Sequence, residues 1–134
     1  MSPDDVEAER LRLELPLQLL ETQERATTKF IDFCRYVWPE MIVGEHHRRI
    51  ADALDRVIAG KCKRLMIAMP PRHGKSQMGS YLFPAYVMGK RPQSKLIVGS
   101  HSAELAQRFG RMIRNVVEDE KYGQLFPDVG LAAD

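Results

Sequence analysis

Long hydrophobic runs are missing from this sequence of 134 residues, and so is a basic, apolar start. No stretch approaches the roughly 18 consecutive apolar residues that a membrane-spanning helix needs. The first ten residues are acidic, where a secretory signal would be basic and then apolar. These absences exclude membrane insertion by the segments present, and we expect a cytoplasmic protein with no membrane partner.

Cysteine is scarce as well. The chain has only Cys34 and Cys62, which are far apart and form no CxxC pair, so neither a disulfide framework nor a zinc knuckle is expected. Two adjacent histidines, His46 and His47, have no carboxylate or cysteine at a suitable spacing. We interpret them as surface or capping groups, and expect both thiols to be reduced and mainly packed.

Anions are almost missing from the middle of the chain. Residues 56–114 hold 12 Lys/Arg against the single Glu104, whereas residues 1–55 hold 7 Lys/Arg against 12 Asp/Glu. Such a block suggests a polyanionic partner, either nucleotide phosphates or a nucleic-acid backbone. A solvated basic face that the acidic flanks neutralise is an equally simple interpretation.

The composition present, 44% hydrophobic and 28% charged residues, fits one modest domain and excludes disorder along the whole chain. We expect residues 1–26 to form a mobile, partly helical arm, because neither helical nor strand periodicity continues across Pro16. Two helices are predicted next. The first begins at Thr27 or Thr28 and ends before Pro39, and the second covers about residues 46–59 and is stopped by Gly60.

Beyond Gly60 the periodicity changes. The apolar runs 65–69 and 96–98 are short, and the intervening residues suffice for a crossover helix, so the pattern predicts two parallel strands in a βαβ unit. An amphipathic helix capped by Ser102 should follow. The fold class predicted is therefore α/β, a parallel sheet flanked by helices of the helicase-like (RecA-like) phosphate-loop type, incomplete in this chain.

A candidate phosphate loop separates the first predicted strand from the crossover helix. Residues 69–76, MPPRHGKS, end like a Walker A motif, although Met69 replaces its first glycine. Gly74 would let backbone N–H groups close around a phosphate, Lys75 would reach the β and γ phosphates, and the Ser76 hydroxyl would ligate Mg²⁺. The motif predicts Mg²⁺-dependent ATP binding.

PPRHGKS after an apolar run resembles the phosphate loop of bacteriophage terminase large subunits, the ATPases that drive DNA into capsids. Three further stretches agree in order: residues 30–38, residues 83–117 and YGQLFPDV at 122–129. The similarity covers about residues 28–130. It implies that residues 27–134 are the N-terminal portion of an ATPase domain, cut before its second Mg²⁺ carboxylate and before the nuclease domain.

The resemblance also implies roles for individual residues. Lys75 and Arg72 would be catalytic, and Ser76 would hold Mg²⁺. Many members carry the loop arginine three positions before the loop glycine, whereas Arg72 stands two before it, so Arg72 either stabilises the transferring phosphate, braces the loop or binds phosphate in the ground state. The nucleotide-binding residues implied are Pro71, Arg72, His73, Gly74, Lys75, Ser76 and Gln77.

For DNA, the resemblance points to residues 98–102 and to three arginines at helical spacing, Arg108, Arg111 and Arg114. Helix capping by the serines and solvated arginines are the alternative interpretation. Phe30 and Trp38 lie in a stretch similar to the adenine-side lead-in of the family, but ordinary core packing is favoured for both.

No apolar strand precedes Glu118 and Asp119, so they are not proposed as the second Mg²⁺ carboxylates. We therefore expect a segment of a packaging motor that hydrolyses little ATP alone. The working motor would be oligomeric, with ATP, double-stranded viral DNA, the portal protein and the terminase small subunit as partners. It would act in an infected or lysogenic bacterial host, transiently at the procapsid portal, and would also cleave concatemeric DNA.

Two alternatives stay open at this point. One is a catalytically inactive nucleic-acid-binding remnant of a phage or prophage terminase, which would use the basic block alone. The other is a small-molecule kinase with the same loop, for which the sequence offers no acceptor site or base.

Overall fold

The computed structural model describes residues 2–70 and 77–131, and within these ranges it is helical. Helices account for all the regular structure there, and a π-helical turn, Gln77–Leu82, runs directly into α4. The α-helices are α1 (Pro3–Thr28), α2 (Phe30–Val37), α3 (Glu45–Ile58), α4 (Phe83–Lys90), α5 (Ala103–Glu118) and α6 (Glu120–Leu125).

The predicted α/β fold, with its parallel sheet and βαβ unit, is wrong for this described part of the chain, which contains no strand. Residues 65–69 and 96–98, the two predicted strands, are irregular. Met66 is 91% exposed and Ile97 is 98% exposed. A parallel strand needs a paired neighbour and cover on both faces, and these apolar runs have neither of them in the structure.

Two predicted helices have the expected ends. Gly60 adopts a left-handed conformation (φ 76°) after α3, and its N–H donates to the Val57 carbonyl at 3.1 Å. The Ser102 hydroxyl accepts the Leu105 N–H at 3.1 Å, which makes Ser102 the N-cap of α5 as predicted. Short-range hydrogen bonding therefore fixes both boundaries.

The start of α2 differs from the prediction. The hydroxyls of Thr27 and Thr28 donate backwards to the Glu24 carbonyl, so the two threonines end α1. The N-cap of α2 is Lys29, which supplies no side-chain hydrogen bond. The N–H of Phe30 instead donates to a carboxylate of α3, that of Asp55, at 3.1 Å.

The N-terminal arm forms a single helix. α1 runs through Pro16, and Ser2 caps it by accepting the Asp5 N–H, while the Asp5 carboxylate accepts from Ser2. Because proline carries no N–H, the carbonyl of Arg12 loses its helical donor at this point. The capping box and the Arg10–Glu14 ion pair (2.7 Å) support the helix on that side of the proline.

The core is a cluster of aromatic rings from α2, α4 and α6 and the residue after α6. Ring centroids of Phe33 lie 5.0 Å from Tyr86, 6.1 Å from Tyr122 and 6.2 Å from Phe126. The Tyr122 hydroxyl donates to the Ala85 carbonyl at 2.7 Å, so its polar end is satisfied inside the core. These contacts join α6 and α4 to α2.

Candidate phosphate and nucleic-acid site

Most of the candidate phosphate loop lies outside the residues that the structure describes. This applies to six of the predicted site residues: Pro71, Arg72, His73, Gly74, Lys75 and Ser76. The structure describes the segments on either side of them, residues 61–70 and the helical segment that begins at Gln77. These flanks show how the chain enters and leaves the loop.

The segment after the loop is anchored in the core. Gln77 begins the π-helical turn, and within that turn the side chains of Met78 and Leu82 are fully buried. Tyr81 is half-buried between them, and burial raises the pKa of its hydroxyl. The described chain after the loop is therefore a helical segment of 14 residues, 77–90, whereas the strand that the motif also requires before the loop is missing from the described residues 65–69.

The segment before the loop is basic and exposed. Lys61, Lys63 and Arg64 are exposed, and the Cys62 thiol donates to the Arg64 carbonyl at 3.2 Å. Ile67 is partly buried against the core. The chain thus carries three cations towards the loop on an irregular segment.

Two cations of the basic block bind backbone carbonyls. The Lys90 ammonium donates to the Thr27 carbonyl at 2.8 Å, and the Arg91 guanidinium donates to the Ile58 carbonyl. These carbonyls lie in the last turns of α1 and α3, where helices have unpaired acceptors and a negative dipole end. Lys90 and Arg91 therefore connect the C-terminal end of α4 to those of α1 and α3. A count of charges along the sequence cannot distinguish this structural role from phosphate binding.

The three arginines of α5 are exposed, but they are not equivalent. Arg108 and Arg111 lie on its solvent side. Arg114 is paired with Glu118 across one helical turn, with 3.3 Å between Nε and Oε1, and it borders a groove of about 580 Å³ between α4, α5 and residues 128–131. A phosphate that binds Arg114 would have to compete with the Glu118 carboxylate. Arg108 and Arg111 are exposed on the solvent side of α5, where a phosphate can reach them directly.

The other predicted residues have structural positions. Phe30 is fully buried and Trp38 packs against the core, which confirms the core-packing interpretation. His47 Nδ1 accepts the Gly44 N–H at 2.9 Å, so His47 is a capping group of α3. The Asp119 carboxylate accepts the Lys121 N–H and caps α6. Within residues 2–70 and 77–131, no cluster of histidine, cysteine and carboxylate groups could hold a metal ion.

Asp55 is a functional group of the fold that sequence reasoning missed. Its carboxylate is half-buried at the start of α2, and burial raises its pKa, although the Phe30 N–H opposes that shift. The Asp55 charge also contributes to the raised pKa of the buried Cys34 thiol, after the dominant effect of burial. The sequence around Phe30 gives no indication of this cap, because Phe30 and Asp55 are 25 residues apart and meet only in the folded chain.

The carboxylate of Asp55 gives a pH-dependent prediction. The pKa of Asp55 is higher in the folded protein than its ordinary value of 3.8. The contribution of Asp55 to folding stability is therefore largest at pH values below 3.8, and it is lost as the pH rises through the pKa of the folded state. Asp55→Asn keeps an oxygen acceptor and removes the charge, so wild type should lose stability relative to it between pH 4 and pH 7. Asp55→Ala lacks the acceptor and should be about 1 kcal/mol less stable than Asp55→Asn.

Urea unfolding of the three proteins across that pH range measures both effects. Glu40→Gln is the control, because it removes an exposed carboxylate that lies outside α3. A stability difference between wild type and Asp55→Asn that does not change with pH would contradict this account of Asp55.

Within residues 2–70 and 77–131, none of the helices combines the length and the hydrophobicity that a membrane span needs.

Comparisons with known proteins give no relative. A scan against protein-family models, a search of curated proteins and a search of solved structures each find no match to this chain. The resemblance to terminase large subunits therefore stays a prediction from the quoted motifs.

Proposed function

We propose that this chain binds the phosphates of Mg²⁺·ATP through Gly74, Lys75 and Ser76, as a segment of a terminase-type DNA-packaging ATPase. The observation that carries the proposal is the Gly-Lys-Ser sequence directly before a helical segment that the core anchors through Met78 and Leu82. A helix start offers backbone N–H donors and a positive dipole end to an anion. Lys75 adds a full charge at that end.

Local charge also supports an anionic ligand. The described flank before the loop, residues 59–70, contains three cations and no carboxylate. Each cation lowers the energy of bringing a triphosphate to the loop, although exposed charges act weakly and are screened by salt. In this proposal Arg72 and His73 lie beside the phosphates, with Pro71 and Gln77 bordering the loop.

The wider proposal places the chain in viral genome packaging. In its working form the motor is an oligomer that couples ATP hydrolysis to translocation of double-stranded DNA at the portal, with the small subunit as a further partner. Those roles belong to the family that the motifs resemble. For the 134 residues alone we propose nucleotide binding with little hydrolysis.

The decisive experiment compares Mg²⁺·ATP binding by wild type and Lys75→Ala. We expect Lys75→Ala to weaken binding by at least about tenfold, because a charge-assisted contact to phosphate is lost. Chelation of Mg²⁺ should weaken wild-type binding in the same titration. Isothermal titration calorimetry measures both effects.

Lys95→Ala is the matched control, because it removes an exposed lysine of the basic block outside the motif. Binding that is equal in wild type and Lys75→Ala would reject the phosphate loop. An equal loss in both lysine variants would assign the affinity to general charge.

A second candidate function, nucleic-acid binding without ATPase activity, is favoured by the exposed Arg108 and Arg111 on one side of α5. This function predicts strongly salt-dependent DNA binding that ATP does not alter. Binding that changes when Mg²⁺·ATP is added would instead favour the packaging proposal.

The geometry of α5 predicts an order among its arginines. Arg108→Ala and Arg111→Ala should each reduce the slope of log K against log salt for duplex DNA by about one. Arg114→Ala should reduce the slope less, because Glu118 already pairs with Arg114. Fluorescence anisotropy at several salt concentrations measures the slopes.

Arg49→Ala is the control for the loss of a paired surface arginine, since Arg49 pairs with Glu45 at the same helical spacing. Equal slopes in wild type and all three α5 variants would exclude α5 as a DNA-binding surface.

A further inference from the structure

The first 20 residues of α1 form an apolar surface that its own chain leaves uncovered. Residues 3–22, which we call the distal arm, are exposed except for the partly covered Glu14. Their leucines are 48–62% exposed and point to more than one side of the helix: Leu11, Leu13, Leu15, Leu17, Leu19 and Leu20. Exposed apolar side chains at this density are typical of a binding surface.

The distal arm is held in a fixed direction. The Gln23 side-chain amide donates to the Tyr36 hydroxyl at 3.1 Å, and that hydroxyl donates to the Gln124 amide oxygen at 2.8 Å. Ala26 is fully buried one turn later. Leu19 and Thr22 border a groove that is shared with α2 and α6, whereas the earlier leucines lie further along a helix that is about 30 Å long over 20 residues.

A complementary surface exists on the body. Residues 59–70 and 91–100, which we call the exposed segments, hold five cations and no carboxylate: Lys61, Lys63, Arg64, Arg91 and Lys95. They also present Met66 and Ile97, both more than 90% exposed. The Arg91 bond to the Ile58 carbonyl brings the starts of the two exposed segments together.

Charge and hydrophobicity match between the two surfaces. α1 carries seven carboxylates against three arginines, and four of those carboxylates lie before its first leucine: Asp4, Asp5, Glu7 and Glu9. An acidic helix with exposed leucines is complementary to a basic surface with exposed apolar side chains. Because α1 is one continuous helix whose distal leucines stay exposed in its own chain, the structure leaves the complementary surface to another molecule.

We propose that the distal arm of one copy docks on the exposed segments of a second copy, in a head-to-tail arrangement. Leucines of the arm cover apolar side chains around Met66 and Ile97, and the arm carboxylates face Lys63 and Arg64. Such an interface uses two different surfaces of each molecule, so it continues from copy to copy and closes into a ring or extends as a filament. This proposal does not depend on nucleotide binding.

Two charge-reversal variants test the arrangement. The arm variant carries Glu7→Lys and Glu9→Lys, and the surface variant carries Lys63→Glu and Arg64→Glu; all four side chains are exposed, so the fold should persist. Circular dichroism and thermal unfolding check this for each protein. Sedimentation velocity measures assembly at a series of protein and salt concentrations.

We expect wild type to associate with increasing concentration and to dissociate in high salt. Each variant should associate at least about tenfold more weakly, because like charges then face each other. An equimolar mixture should regain association, because the intact arm of the surface variant matches the intact surface of the arm variant, and the reversed arm and reversed surface also carry opposite charges.

Two outcomes would overturn the proposal. One is a wild-type chain that stays monomeric at every concentration tested. The other is a surface variant that associates as strongly as wild type, because the arms would then pair with each other. A mixture that associates no more strongly than either variant alone would also exclude arm-to-surface docking.

Discussion

Phe33→Ala should lower the free energy of unfolding by about 3–5 kcal/mol, the usual cost of removing a large core aromatic. The Phe33 side chain is fully buried, and its ring contacts those of Tyr86, Tyr122 and Phe126. Alanine would leave a cavity where α2, α4 and α6 meet, and the neighbouring rings could refill it only partly. Since small domains have about 5–15 kcal/mol in total, much of the fold's stability would be lost.

Urea unfolding followed by circular dichroism measures this change. Ile42→Ala is the control, because it removes a large apolar side chain that is 88% exposed and lies outside the helices, and it should change the stability by less than about 0.5 kcal/mol. A Phe33→Ala protein as stable as Ile42→Ala would show that the aromatic cluster does not hold the helices together.

Helix ends were the most predictable part of the fold, because their causes are local. The stop at Gly60 and the cap at Ser102 depend on residues within a few positions of each other. The start of α2 was less predictable. A threonine before an apolar helix is a plausible N-cap, yet Thr28 bonds backwards to Glu24, and the Phe30 N–H is satisfied by Asp55 from another helix.

The two predicted strands are wrong because an apolar run does not by itself provide a neighbouring strand to pair with. Residues 65–69 and 96–98 have strand-like composition, but a strand exists only through hydrogen bonds to a neighbour. Here Met66 and Ile97 are exposed, while the core is made by helices around Phe33. Single-sequence periodicity describes which side chains favour burial, and tertiary contacts decide which of them achieve it.

Individual hydrogen bonds and ion pairs show which cations of the basic block have structural roles in the described residues. Lys90 and Arg91 looked equivalent to the other cations of the basic block, but they bind carbonyls near the ends of α1 and α3. Arg114 is paired with Glu118 and borders the groove between α4, α5 and residues 128–131. The sequence could predict a basic region, but which cations stay available to an anion depends on the folded neighbourhood of each one.

Gly89→Ala should also destabilise the fold strongly, by about 1–3 kcal/mol, because the site has no room for a methyl group. A Cβ at position 89 would lie 2.6 Å from Cγ and Cε2 of Phe126, where the last turn of α4 packs against the residue that follows α6. Phe126 is only 8% exposed, so its ring can move away from the new methyl group only if the surrounding core side chains also move. Glycine at this position lets α4 approach the residue that ends α6.

Gly110→Ala separates this packing effect from helix propensity. Gly110 lies within α5, and an added Cβ there would meet no described atom within 4 Å. The alanine should therefore stabilise the protein by about 0.5–1 kcal/mol through a lower entropy of the unfolded chain. Thermal unfolding of the two variants should give shifts of opposite sign relative to wild type. Because Gly89 is also helical, the same entropy gain acts there, and a stabilised Gly89→Ala protein would mean that Phe126 does not pack against α4.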